Sequence, residues 1–213
     1  MLASCLDRAS VATAFHVNVI NMKRSYTMTS RADAARQTGE RILAAALDHF
    51  AAAYYDEVTL DAIAVDAGVS VQTVIRRFGS KEGIVRALVQ VSRPRTESQR
   101  AEAPVGDIRG AVANLVEHYE SEGDLILHVL RQELRVPAYA EVSAHGRRVH
   151  AEWIGRVFAP WLDAERGVDR RRMLAQLVAV CDLYTWFLLR RQQGLSQRQT
   201  ELALVELLEG VLP

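Results

Sequence analysis

Within residues 72–77 of this 213-residue chain, Gln72, Thr73, Arg76 and Arg77 bring together an amide, a hydroxyl and two guanidinium groups. Amides and hydroxyls hydrogen-bond base edges, and guanidinium groups bind phosphate oxygens or guanine. Lys81 and Arg86 extend the strip, so residues 76–86 hold four cations against one acid, Glu82. The whole chain balances 26 basic against 26 acidic residues and has no global positive field. Attraction to phosphate acts over a Debye length of about 8 Å, so the local excess is what counts. The chemistry implied is that of a DNA groove.

The elements that must position these side chains are short and punctuated. Val71, Val74, Ile75 and Phe78 recur at helical spacing and are predicted to pack on the preceding helices, leaving Gln72, Thr73, Arg76 and Arg77 outward. Ser70 is an N-cap for this helix, Gly79 its stop and Ser80 the cap of the next. Before it, Thr59 caps Leu60–Ala64, and Ala67-Gly68-Val69-Ser70 forms the turn, with Gly68 free to take φ > 0. A first amphipathic helix begins at Thr38, with Ile42, Leu43, Ala46, Leu47, Phe50 and Tyr54 in step. On spacing alone, a plain helical hairpin with a solvated basic face fits the same residues.

Residues 1–37 read as a flexible tail, in which Met28 is an alternative start and residues 1–27 lack a periodic apolar face. Residues 38–92 form the helix-turn-helix domain with a connecting helix, which Pro94 is predicted to end near Ser92. The polar stretch 93–106 reads as a linker, and 107–213 as a second helical domain. There, Asp107 caps a helix carrying Val112, Leu115 and Tyr119, and Gly123-Asp124 restarts a shorter one through Leu130. Val136-Pro137 opens a long helix to about Leu162, and 169–193 is apolar nearly all round. Gly194 and a Ser196–Gln199 capping box lead into the last helix. No strand-like alternation occurs, so the chain reads as all-α. The hairpin 169–212, with Trp186 and Phe187, is predicted to form the seam of a homodimer, the alternative being burial in one subunit's core.

The run Thr59-Leu-Asp-Ala-Ile-Ala-Val-Asp-Ala-Gly-Val-Ser-Val-Gln-Thr-Val-Ile-Arg-Arg-Phe-Gly-Ser-Lys-Glu-Gly-Ile84 resembles the DNA-binding segment of TetR-family regulators. The resemblance extends over roughly Thr38 to Leu88 and implies a three-helix DNA-binding domain, a connecting helix, and a helical domain for ligand binding and dimerisation. It implies that Thr59 and Ser70 touch phosphates while capping helices, that Gln72 and Thr73 lie near base edges, and that Lys81 adds a phosphate contact. Two positions depart from the family pattern: Ile75 stands where a Tyr is usual, and Arg77 where a His is common. The resemblance further implies a small-molecule pocket, for which Asn114, His118, Tyr119, Trp153, Phe158, Cys181 and Tyr184 are the candidates. The partners implied are double-stranded operator DNA, a second copy of the chain and a small-molecule effector that releases a repressor.

Other chemistries find little support. Cys5 and Cys181 cannot build a disulfide framework or a four-ligand zinc site, and His145 and His150, five apart, fall on different helix faces. No metal site and no cofactor is expected. The sequence has no nucleophile elbow and no Gly-rich phosphate loop, so no catalytic residue is assigned. No apolar run approaches the ~18 residues of a membrane span, and a cytoplasmic protein is expected. The competing reading is an all-α ligand carrier or enzyme on a borrowed fold.

Overall fold

The computed structural model describes residues 31–213, and among them there is helix and no strand. In chain order the helices are α1 (Arg31–Ala52), α2 (Leu60–Asp66), α3 (Val71–Phe78), α4 (Lys81–Ala101), α5 (Ile108–Leu130), α6 (Pro137–Val157), α7 (Ala159–Leu162), α8 (Gly167–Val180), α9 (Leu183–Phe187) and α10 (Gln197–Val211). A π-helical turn, Leu188–Gln192, follows α9. Two compact units emerge: 31–91 together with 131–139, and 92–130 together with 140–213.

The first unit is built by caps and a small apolar interior. The Thr59 hydroxyl accepts from the Ala62 amide at 3.1 Å, and the Ser70 hydroxyl from the Thr73 amide at 3.3 Å, satisfying helix N-termini that otherwise lack partners. Gly68 adopts φ +64° in the turn between α2 and α3, and Gly79 adopts φ +78° after α3. Ile42, Ala46, Phe50, Val58, Ile63, Ala64, Val74 and Ile84 are buried. Residues 131–139 join them through Val136, Ala138 and Tyr139, all buried. The Tyr55 amide donates to Gln132 Oε1 at 2.8 Å, and the Tyr55 ring meets Tyr139 edge-on at 5.4 Å.

In the second unit α10 packs along α5, and the core gathers Leu115, Tyr119, Trp153, Ile154, Phe158, Leu177, Trp186, Leu204 and Leu208. The capping box predicted at Ser196 and Gln199 is present and starts α10.

Several boundaries differ from the sequence expectation. Helix α1 begins at Arg31, so residues 31–37 are not tail; residues 1–30, including the alternative start at Met28, lie outside the described residues. Helix α4 runs through Pro94 to Ala101, making most of the predicted linker helical. A helical Pro costs about 3 kcal/mol, and here long-range packing of 93–101 outweighs it. Helix α5 passes straight through Gly123, where the Trp186 ring occupies the space a side chain would fill.

The predicted helix 169–193 is interrupted at Cys181, and the Asp182 carboxylate caps α9 through the Tyr184 amide at 2.8 Å. The stretch Gly167–Gln192 is long and apolar enough to cross a membrane by length and composition only. Here it places Met173, Leu177, Leu183 and Trp186 in the protein core.

Gly123 yields a stability test. A Cβ there falls 2.7 Å from the Trp186 ring. Gly123→Ala is expected to cost about 1–3 kcal/mol by overpacking, lowering Tm by roughly 2–4 °C for each kcal/mol. Thermal denaturation followed by circular dichroism checks it; an unchanged or higher Tm contradicts the close packing.

Candidate nucleic-acid interface and buried polar cluster

The exposed polar side chains of the first unit that the sequence singled out lie on helix α3. Gln72 and Arg76 are exposed and make no hydrogen bond or ion pair among the described residues, so both are free to meet DNA. Thr73 shares a 3.0 Å hydrogen bond with the Ser70 hydroxyl, which ties its side chain to the helix start. Only Val74 is buried on the apolar side; Ile75, predicted to pack inward, is 46% exposed and lies on the outer surface. Helix α1 braces the turn, since Arg41 Nε donates to the Ala67 carbonyl at 3.1 Å. Arg77 is exposed, and its guanidinium is laid against α1 at Gly39, where a Cβ would meet it.

Lys81 is engaged inside the protein. Its ammonium donates to the Tyr55 and Val58 carbonyls at 2.8 and 2.9 Å and sits 4.3 Å over the Tyr55 ring. Two of three donors are thereby spent inside the protein, and Lys81 ties α4 to the Tyr55–Val58 segment. The Tyr55 hydroxyl donates to Glu82 Oε1 at 2.7 Å. Hydrogen bonds from Ser80 and Tyr55 hold the Glu82 carboxyl down at about 2, while burial pushes the Tyr55 phenol up.

The second unit contains a buried polar cluster that the sequence only half revealed. Of the predicted pocket residues, Asn114, Tyr119, Trp153, Phe158 and Cys181 are buried, and His118 is largely so. Tyr184 is not among them: it is 50% exposed, because the break at Asp182 turns it outward. The residue that organises the cluster is Arg100, which the sequence reading placed in a linker. Helical register within a polar stretch gave no local sign of its burial.

Arg100 is 6% exposed, and its guanidinium lies 4.2 Å over the Trp153 ring. Its Nη2 donates to His150 Nδ1 at 2.8 Å. Gln99 and Asn114 clasp each other's backbone carbonyls at 2.8 and 2.6 Å. Trp153 Nε1 and Arg156 Nη2 donate to the Arg100 carbonyl, and Arg156 Nη1 to that of Ala103, which satisfies the C-terminal end of α4. The Tyr119 hydroxyl donates to the Cys181 carbonyl at 3.0 Å. Burial and the Arg100 charge hold the His118 and His150 imidazoles at about 3, and burial pushes the Cys181 thiol up to about 12. Both histidines are therefore neutral at physiological pH, and the thiol is unreactive. Among the described residues, no group of three His, Cys, Asp or Glu side chains is placed to hold a metal.

Comparison with known proteins bears on the first unit most directly. Residues 42–88 match the sequence profile of the family described as bacterial regulatory proteins, tetR family. The fold resembles that of a transcriptional regulator from Rhodococcus sp. Rha1, with a TM-score of 0.63 at 18% identity, covering 81% of this chain and 95% of that one. No curated protein sequence matches the chain.

The two basic residues separate contact from scaffold. Arg76→Ala is expected to leave Tm unchanged and to flatten the dependence of log K on log salt by about one unit. Lys81→Met is expected to lower Tm by several degrees, since it empties the Tyr55 and Val58 carbonyls. Fluorescence anisotropy on labelled duplex DNA, paired with thermal melts, checks both. A stable Lys81→Met with the slope loss assigned to Arg76 reverses the assignment.

Proposed function

We propose, for a chain whose helix-turn-helix segment belongs to the TetR family of bacterial regulators, that it is a ligand-responsive homodimeric repressor, released from operator DNA when a small molecule binds its second unit. The observation that carries the reading is helix α3: capped by Ser70, braced from α1, and carrying free Gln72 and Arg76 on its exposed side. Gln72 is suited to a base edge, and Arg76 to guanine or phosphate. Thr59 and Ser70 stay near phosphates at helix N-termini, with Thr73 and Arg77 beside them. The DNA it acts on places it in the cytoplasm.

A reading helix of eight residues gains specificity by pairing with a second copy on a two-fold site. The seam expected at Trp186 is corrected by the fold: that residue is fully buried, its Nε1 donates to Glu120 at 3.0 Å, and Arg191 stacks on its ring. The exposed apolar residues of the same segment are Tyr184 and Leu188, with Leu202 and Leu207 on α10. These four support an intersubunit surface better than Trp186 does.

The chain is expected to shift duplex DNA from upstream of its own gene, with an affinity that falls steeply as salt rises. The competing reading, a carrier or enzyme on the same helices, predicts no specific shift. Paired Tyr184→Glu and Leu188→Glu changes are expected to give a folded monomer with DNA affinity lowered at least tenfold. Light scattering and circular dichroism together check this; a folded protein that stays dimeric refutes the seam.

A further inference from the structure

The second unit buries a cation without burying an anion to match. Arg100 has no carboxylate within ion-pair distance among the described residues. Burial disfavours its charge, and the other groups that act on it are the Tyr119 phenol, the Cys181 thiol and a second cation, Arg156. The buried Glu122 carboxyl is faced by Arg95 and hydrogen-bonded by Thr96, so it answers a different charge. A guanidinium removed from water without a counter-charge is among the costliest groups a core can hold.

The hydrogen-bond inventory sharpens this. A guanidinium can only donate, so His150 Nδ1, 2.8 Å from Arg100 Nη2, must accept. The neutral imidazole then carries its proton on Nε2, a second donor. Arg100 Nη1 and His150 Nε2 are both sealed from solvent, and neither has a partner. With Nδ1 turned to Arg100, the Nε2 donor faces the other way, so the two orphaned donors look out on opposite sides of the Arg100–His150 pair. Around them the walls are aromatic: Trp153 stacks on His150 with ring centroids 6.1 Å apart, and Phe158 meets Trp153 edge-on at 6.2 Å. His118 lies within the electrostatic reach of Arg100.

We infer that this cluster is an anion site, and that the effector of the proposed regulator is a small monocarboxylate with an apolar or aromatic body, its carboxylate held by Arg100. The inference rests on the regulator reading only for the word effector; the binding chemistry stands on the cluster. A carboxylate supplies the missing charge and accepts from the orphaned Arg100 Nη1, and its body lies against Trp153 and Phe158. A neutral amide of the same shape supplies one weak acceptor and no charge. Because the donors are sealed, entry requires the cluster to open.

Benzoate, phenylacetate and hexanoate, each titrated calorimetrically against its own primary amide on the full-length protein, test the inference. At least one acid is expected to bind at least tenfold tighter than its amide, and Arg100→Met to abolish that ratio. Arg100→Met is also expected to melt no lower than the wild type, since it removes an uncompensated buried charge. Equal affinity for acid and amide throughout, no binding of any acid up to millimolar concentration, or a preference that survives Arg100→Met overturns the inference.

Should Arg100→Met fail to fold, Arg100→Lys carries the test. It keeps the charge and loses the fork, so the acid is expected to remain preferred but to bind several-fold more weakly; unchanged affinity overturns the inference. The DNA titration is read separately. A protein that shifts DNA but ignores the acids loses this inference alone, and one that takes acids through Arg100 without binding DNA loses the regulator reading alone.

Discussion

One unbroken helix is the constraint on which the rest of the molecule depends. Helix α4 starts at Lys81 in the first unit and ends at Ala101 in the second, and it stays helical across Pro94 despite the hydrogen bond and the space that residue costs. Each end carries a cation on an aromatic ring: Lys81 over Tyr55, and Arg100 over Trp153. Each end also has its backbone answered, by the Ser80 hydroxyl accepting from the Gly83 amide at the start and by Trp153 and Arg156 donating to carbonyls at the finish. The helix that follows the reading head is thus the same helix that delivers the buried guanidinium.

The two units use polar groups in opposite ways. In the first, polar atoms complete local geometry: Thr59 and Ser70 cap, Lys81 and Gln132 bind backbone groups of the Tyr55–Val58 segment, and the outward Gln72 and Arg76 are left free. In the second, polar atoms are buried around Arg100 with several left unmatched, including Gln99 Oε1, Asn114 Oδ1 and His150 Nε2. Such groups cost stability, roughly 1–3 kcal/mol each. An apolar core of the same volume would be more stable.

How far the fold could be read from sequence follows from the range of the interactions. Caps at Thr59, Ser70 and Ser196, and stops at Gly68, Gly79 and Gly194, were legible because their hydrogen bonds and dihedral angles are set within a few residues. The free side chains of α3 were legible for the same reason, being placed by the period of one short helix. The internal contacts of Lys81 are not legible in the sequence because its acceptors lie 26 and 23 residues away. Arg100 was hidden because its ring partner is 53 positions on, in a segment whose composition resembled a linker. Trp186 was assigned to a subunit seam because apolar periodicity shows that a face is covered without showing by what; Gly123 and Glu120 of α5 cover it.

If α4 joins anion binding to DNA release, the coupling must be reciprocal and must pass through Arg100. The most direct measurement is the affinity of the wild type and of Arg100→Met for the same operator duplex, titrated with whichever carboxylate binds most tightly. The account predicts that the wild type's DNA affinity falls at least fivefold as the acid saturates, and that the affinity of Arg100→Met does not change. An operator affinity that ignores the acid in both proteins, or falls equally in both, contradicts it.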